Sequence, residues 1–350
     1  MGQVGIGMLG VGRMGAAHAR IAAGMVPRAR VVALGDVDVA AAERLAAELG
    51  NPRVYASAEA LAADPDVDAV VIAVSSSRHV DAIRAVAAAG KPILCEKPLA
   101  LTLADTDTAM AIADAAGVPL QVAFMRRWDP EYQRAHARLS SGKLGRPLLF
   151  KSLQFDPEPP PLTFADPRTS GGIWVDMGIH EFDLARWLMS DEVEEVFAYG
   201  STLSHPDLAT VGDVDSAVAV LRFVSGATGT VELARDTTYG EDVRTEVLAT
   251  HGAVWAGTLP VSQGAFSDRS SRAVTVDSSE AAVLRFERAY THQMRGFVDA
   301  VADGQPVRVT AADSRAALGI ALAAQRSMHQ GVPVRVTDIL GSADSDTVQA

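Results

Sequence analysis

Val4-Gly5-Ile6-Gly7-Met8-Leu9 runs directly into Gly10-Val11-Gly12-Arg13-Met14-Gly15. An apolar run followed by G-x-G-x-x-G reads as a buried strand, a glycine turn and the start of a helix. Working outward, a helix-like segment follows, Ala29 to Leu34 is a second apolar run, and Asp36 closes it. In such a unit the first glycine permits the tight turn. The second lets a pyrophosphate approach the backbone, and the third lets helix and strand pack closely. Those roles fall on Gly10, Gly12 and Gly15, with Arg13 and Met14 completing the turn. The N–H groups opening the helix face the phosphates, and the helix dipole favours their charge. Asp36 stands about 20 residues beyond the turn, where a carboxylate accepts hydrogen bonds from the adenosine ribose. The stretch predicts a nicotinamide dinucleotide site. Because Asp36 would repel a 2′-phosphate, it favours NAD, with NADP or dual use as the alternative.

The same rhythm continues to residue 122. Val39 to Leu49 has helical spacing and stops at Gly50. Ala69 to Val74 is the continuous apolar run of a parallel strand covered on both faces. Val80 to Ala89 reads as a helix, Pro92 to Cys95 as a short strand, Thr102 with Asp105 as a helix start, and Val118 to Ala123 as a last strand. Alternating strands and helices imply an α/β fold with a doubly wound parallel sheet. From about Phe124 the pattern changes. Pro147 to Phe155 looks extended, Asp156 to Pro167 is a proline-rich loop, and a helix is expected from about Asp176 to Met189. Val214 to Phe223 alternates, turns at Ser225-Gly226 and returns through Thr228 to Ala234 as an antiparallel hairpin. Val243 to Thr250 and Ala253 to Ala256 read as further strands, and Ala281 to Ala302 and Ala311 to Met328 as long helices. The expected organisation is a dinucleotide-binding domain over 1–122 and an α+β domain with a largely antiparallel open sheet over 123–340.

Bulk properties exclude several functions. A net charge of −12 with no clustered basic face argues against nucleic-acid binding. No apolar run approaches the length of a membrane span, and the first residues form a strand without a leader pattern. One cysteine, Cys95, excludes an intrachain disulfide and suits a reducing compartment, so a cytoplasmic location is expected. The histidines outside the candidate site form no metal-ligand spacing, and no metal is expected.

Two clusters carry chemistry. Lys97, in Cys95-Glu96-Lys97-Pro98, falls just beyond a strand's carboxyl end, where a doubly wound sheet binds its ligands. An amine beside a cationic nicotinamide suits proton exchange with a hydroxyl. An exposed loop lysine is the plain alternative. The second cluster is Gly171-Gly172-Ile173-Trp174-Val175-Asp176-Met177-Gly178-Ile179-His180. Asp176 and His180, four apart on a helix, share a face, and a carboxylate next to an imidazole orients it. An ordinary polar stripe is the alternative there.

With these elements in place, the chain resembles the Gfo/Idh/MocA oxidoreductases, and within them the inositol 2-dehydrogenases. The resemblance rests on Gly10 to Gly15, Glu96-Lys97-Pro98, Phe124 to Asp129 and the aspartate-xxx-histidine helix. It implies a catalytic set of Lys97, Asp176 and His180. In that set His180, oriented by Asp176, takes the hydroxyl proton and Lys97 hydrogen-bonds the oxygen, though the two roles are exchangeable. It also implies cofactor contacts from Ser76, His79, Glu96 and Lys97, and substrate contacts from Arg127, Asp156 and Tyr239. An internal salt bridge is the alternative for Arg127, and a plain surface role for Tyr239. Val74-Ser75 stand where the family shows threonine-proline, and Gln154-Phe155-Asp156 departs from the inositol pattern. The implied activity is NAD-dependent oxidation of a secondary hydroxyl on a cyclic polyol or sugar, with myo- or scyllo-inositol favoured. Alternatives are another pyranose or an anhydrosugar, NAD-assisted glycoside cleavage, or a non-catalytic dinucleotide sensor. A homo-oligomer, dimer or tetramer, built on the open sheet is also implied.

Overall fold

The computed structural model describes residues 2–257, 261–267, 274–278 and 285–341. They form two compact units, one built on residues 1–129 and 288–318 and the other on residues 130–287 and 319–342.

The first unit is a six-stranded parallel sheet. Its strands are β1 (Val4–Leu9), β2 (Ala29–Gly35), β3 (Arg53–Tyr55), β4 (Ala69–Ile72), β5 (Ile93–Cys95) and β6 (Leu120–Val122), in the order 3-2-1-4-5-6. Every residue of β1, β4 and β5 is buried, which explains their unbroken apolar runs: helices cover both faces. The helices are α1 (Arg13–Met25), α2 (Val39–Glu48), α3 (Ala58–Ala62), α4 (His79–Ala88) and α5 (Leu103–Ala116). Local signals set their ends. Asp38 and Ser57 cap α2 and α3, Thr102 accepts from the Asp105 N–H at 3.0 Å, and Gly117 closes α5 in a left-handed conformation. Residues 288–318 complete this unit. Val309 and Thr310 pair beside β6, and Arg28 is ion-paired to Asp299 and Asp303 of helix Glu287–Asp303.

The second unit opens with α6 (Pro130–Ser140). Its main sheet comprises β7 (Pro147–Phe155), β8 (Val193–Ser201), β9 (Ser216–Phe223), β10 (Thr228–Ala234), β11 (Asp242–Ala249) and β12 (Gly252–Ala256), plus the two-residue strand Val334–Arg335. The order is 12-11-7-10-9-8 with Val334–Arg335 beside β8. The β9–β10 and β11–β12 pairs are antiparallel hairpins, as their alternation predicts. β7 and β10 are parallel, a pairing the sequence does not announce. Alternation divides the faces. Phe150, Leu221, Val196 and Val247 lie in one buried row, and helix Ile179–Met189, with Phe182 and Leu184 fully buried, packs against β7 and β10. The opposite face carries the cross-strand row Trp255, Glu246, Lys151, Thr230, Val220 and Phe197. There Trp255 is 69% exposed, and on the same face Tyr199 is 66% exposed. Residues 261–267 and 274–278 form a further two-stranded hairpin. The start of the long helix expected over 281–302 lies partly outside the described residues. Among the described residues no helix is long and apolar enough to cross a membrane.

Candidate active site

In the first unit the strand order reverses between β1 and β4, and ligands of such sheets bind beyond the strand ends at that point. The glycine turn follows β1 there. Gly10 adopts φ +89, and a Cβ at that position would lie 2.5 Å from the Ala73 carbonyl oxygen. A Cβ on Gly15 would lie 1.9 Å from the Gly10 oxygen, so only glycine lets α1 approach the turn this closely. Gly12 is the N-cap of α1 and offers no side-chain acceptor, and no acidic residue occupies the first turn. Exposed Arg13 and half-buried Met14 follow. The positive end of the helix is left for a ligand. At the end of β2, one Asp36 oxygen accepts from the Val11 N–H at 2.8 Å and the other from the Asp38 N–H at 2.9 Å. The carboxylate therefore sits against the turn itself.

Ser76 follows β4 in the single turn Ser76–Arg78. His79 is buried, its Nδ1 2.9 Å from the Pro98 oxygen and its Nε2 3.1 Å from the Val74 oxygen. Burial pushes its imidazole pKa down, against the pull of those carbonyls. The ring thus clips the chain leaving β4 to the chain leaving β5. Glu96 and Lys97 follow β5. Glu96 Oε1 is 2.6 Å from His18 Nε2, and its Oε2 accepts from the Lys97 backbone N–H at 3.1 Å. Burial pushes the Glu96 carboxyl up. The hydrogen bond and charge of His18, with the charge and N–H of Lys97, outweigh it and hold the group below the ordinary carboxylate range. Lys97 is half-buried, and its peptide bond to Pro98 is cis. Arg127 lies in the turn Met125–Trp128, with its Nη2 3.1 Å from Asp313 Oδ1.

In the second unit, Asp176 lies in a π-helical turn, Trp174–Gly178, and His180 in the α-helix Ile179–Met189 that follows. A single α-helix over 176–189 is expected from the sequence; the structure widens its first turn. Asp176 Oδ2 is 3.3 Å from Arg235 Nη1, and Arg235 Nη2 is 2.7 Å from Asp213. Asp213 also accepts from the Ile173 N–H at 2.9 Å. Arg235 and Asp213 are buried, and burial pushes the Asp213 carboxyl up despite the guanidinium. His180 is 6% exposed. Next to it, fully buried Glu181 accepts from Ser152, whose hydroxyl also meets Thr245 at 2.7 Å. This anchors the helix to the sheet. Asp156 continues β7 and accepts from Gln154 at 3.0 Å. The Tyr239 hydroxyl donates to buried Asp242 at 3.1 Å, and Arg244 grips the same carboxylate from the other side.

The arrangement of the first unit is the one a dinucleotide requires, and comparison with known proteins agrees. Residues 4–124 match the oxidoreductase family with an NAD-binding Rossmann fold, and residues 132–255 match the GFO/IDH/MocA C-terminal domain. The chain belongs to the GFO/IDH/MocA oxidoreductase family. It is 36% identical over 334 residues to the scyllo-inositol 2-dehydrogenase (NAD(+)) of Bacillus subtilis, covering 95% of this chain and 96% of that protein. It is 36% identical over 340 residues to the myo-inositol 2-dehydrogenase of Thermotoga maritima, covering 96% and 99%. Among solved structures, scyllo-inositol dehydrogenase from Lactobacillus casei, with bound NAD(H) and scyllo-inositol, superposes with a TM-score of 0.88. It is 27% identical, covering 96% of this chain and 99% of that one. The family assignment makes this protein an oxidoreductase whose cofactor is NAD. The helix start without a side-chain cap, the close glycine contacts and Asp36 fit that cofactor.

Three buried polar groups of this family member escape the sequence reading. Val231, Leu233 and Arg235 continue one alternation, which assigns the arginine to the buried face. A buried guanidinium needs carboxylate partners, and that requirement was the available signal. His18 likewise lies on the core face of α1 with Gly15, Ala19 and Ala22. Glu181 stands beside His180 but points to the sheet through Ser152.

Proposed function

We propose that this protein oxidises a secondary hydroxyl of a cyclic polyol to the ketone with NAD, and that myo- or scyllo-inositol is its substrate. The observation that carries the reading is Lys97 standing at the carboxyl end of β5, in the sheet whose β1 end carries the open glycine turn and whose β2 end carries Asp36. Relatives that are inositol dehydrogenases along nearly their whole length support the substrate class.

When bound, the nicotinamide supplies the acceptor for the hydride that leaves the substrate carbon. The protein's own task is the hydroxyl proton. In this reading His180 accepts that proton as the ketone forms, and Asp176 orients the imidazole and offsets its new charge. Arg235, shared between Asp176 and Asp213, holds the Asp176 carboxylate in place. Lys97 donates a hydrogen bond to the substrate oxygen, and Arg127, Asp156 and Tyr239 contribute hydroxyl contacts. Gly10, Gly12, Arg13, Met14, Gly15, Asp36 and Ser76 serve the cofactor, and His79 serves it by fixing the chain around them. The exposed sheet face with Trp255 and Tyr199 is assigned to contact between copies of the chain, giving a dimer or tetramer.

The test is absorbance at 340 nm with NAD or NADP and a panel of inositols, pyranoses and anhydrosugars. Lasting NADH formation with an inositol is expected. Free sugar released from a glycoside without lasting NADH, or cofactor binding without turnover of any panel member, would overturn the reading. General acid–base groups contribute about 10²- to 10⁴-fold. His180→Ala and Lys97→Met are expected to lose that much turnover while still binding NADH.

A further inference from the structure

The pair of buried His18 and half-buried Glu96 has no part in the proton chemistry described above. His18 sits on the core face of α1 and is 1% exposed, with the ring of Tyr290 edge-on at 5.6 Å. Its Nε2 lies 2.6 Å from Glu96 Oε1. Glu96 keeps its own N–H in the strand ladder, donating to the Ile72 oxygen at 2.9 Å, while its carboxylate folds back to accept the Lys97 N–H. One carboxylate oxygen is thus directed at the imidazole and the other at the lysine's backbone. His79 from α4, Cys95 from β5 and Lys97 itself all feel the charge of this carboxylate. Burying an ionised carboxylate costs free energy unless it is hydrogen-bonded and paired. A strand end needs no such group for its own stability.

We propose that His18 and Glu96 are positioning residues for Lys97. The imidazole fixes the carboxylate, and the carboxylate fixes the backbone of Lys97 and supplies the counter-charge for its ammonium. Glu96 then serves the lysine and does not touch the cofactor. The pair also ties Lys97 to α1, the helix whose start holds the dinucleotide turn. This inference rests on Lys97 being the catalytic lysine.

The test uses the full chain with NAD and myo- or scyllo-inositol, comparing kcat, substrate KM and NADH Kd from fluorescence titration. Glu96→Gln keeps the shape and removes the charge. It is expected to lower kcat about tenfold or more, with NADH Kd unchanged. His18→Gln retains a donor for Glu96 and is expected to keep kcat near wild type. His18→Leu has none and is expected to fall with Glu96→Gln. Weakened NADH binding in Glu96→Gln with full kcat at saturating cofactor would place Glu96 at the cofactor and overturn the proposal. Equal losses in His18→Gln and His18→Leu would reduce the histidine to packing and overturn it too. That contrast decides alone if Glu96→Gln does not fold. Turnover by Lys97→Met would overturn the reading of the lysine itself. An inactive Lys97→Met beside a fully active Glu96→Gln would overturn only the pair.

Discussion

Replacing Asp36 separates two jobs that one carboxylate performs. Its oxygens accept from Val11 and Asp38 N–H groups, and the reading of the site gives it the ribose hydroxyls as well. Asp36→Ala removes all of this at once. Val11 is buried, so its orphaned N–H costs about 1–3 kcal/mol, whereas exposed Asp38 can turn to water. That loss acts through the turn and weakens NADH and NADPH alike, which makes alanine a blunt probe. Asp36→Asn keeps one oxygen, and the least costly rotamer gives it to Val11. The turn survives, while the charge goes and the oxygen facing the Asp38 N–H becomes an amide NH2 that no longer accepts. A charged hydrogen bond is worth roughly 1 kcal/mol more than a neutral one, so NADH affinity should fall about fivefold. Removing the repulsion of a 2′-phosphate about 5 Å away returns about 1–3 kcal/mol to NADPH. The ratio of NADH to NADPH Kd should therefore shift by at least about tenfold in Asp36→Asn. Fluorescence titration of both reduced cofactors measures it. An unchanged ratio in Asp36→Asn would show that Asp36 serves the turn alone, and the ribose assignment would fall.

Gly15→Ala drives a Cβ to 1.9 Å from a backbone oxygen, so α1 must retreat from the turn; NADH affinity should drop about tenfold or more, read by the same titration. Arg235→Ala leaves Asp213 and Asp176 without their shared guanidinium and should cost about 3–5 kcal/mol in urea unfolding, with kcat falling as well. Glu96 has its folded pKa below the ordinary 4.5, so its stabilisation is fully present above that value and is lost as pH falls through the folded pKa. The melting-temperature gap between wild type and Glu96→Gln should accordingly be constant near neutrality and close in acid. Trp255→Arg places a charge at the exposed face of the second sheet and should shift the mass measured by light scattering toward the monomer.

The first unit was legible wherever one local signal sufficed. β1, the glycine turn and α1 carry their own chemistry, and β4 betrays its two covered faces by an unbroken apolar run. β3 has three residues, one exposed and two half-buried, at the sheet's edge, and so has no apolar pattern to read. β8 hides for another reason. Its register slips between Val193 and Glu195, and a slip destroys the period of two that marks a strand. The hairpins β9–β10 and β11–β12 were readable because their partners are adjacent in the chain. The parallel contact of β7 with β10 was not, since nothing local at residue 155 points to residue 228. At the candidate site, types and spacings named Lys97, Asp176 and His180, but their supports came from elsewhere. Arg235 reaches Asp176, Asp213 reaches Arg235, and His18 and Ser152 reach Glu96 and Glu181 beside the named residues, all only through tertiary packing, which a linear pattern does not contain.

The side-by-side run of β7 and β10 in the same direction bears on how the second unit is assembled. No tight turn can close such a ladder, so residues 156–227 form one long excursion between its two strands. Helix Ile179–Met189, with His180, lies inside that excursion. The middle of the sheet cannot zip up until the excursion has returned, and contacts so distant in sequence form slowly. Once closed, the ladder tethers the imidazole-bearing segment at both ends through the innermost strands. Fraying of the outer strand β12 then leaves this tether, and the chemistry it carries, untouched.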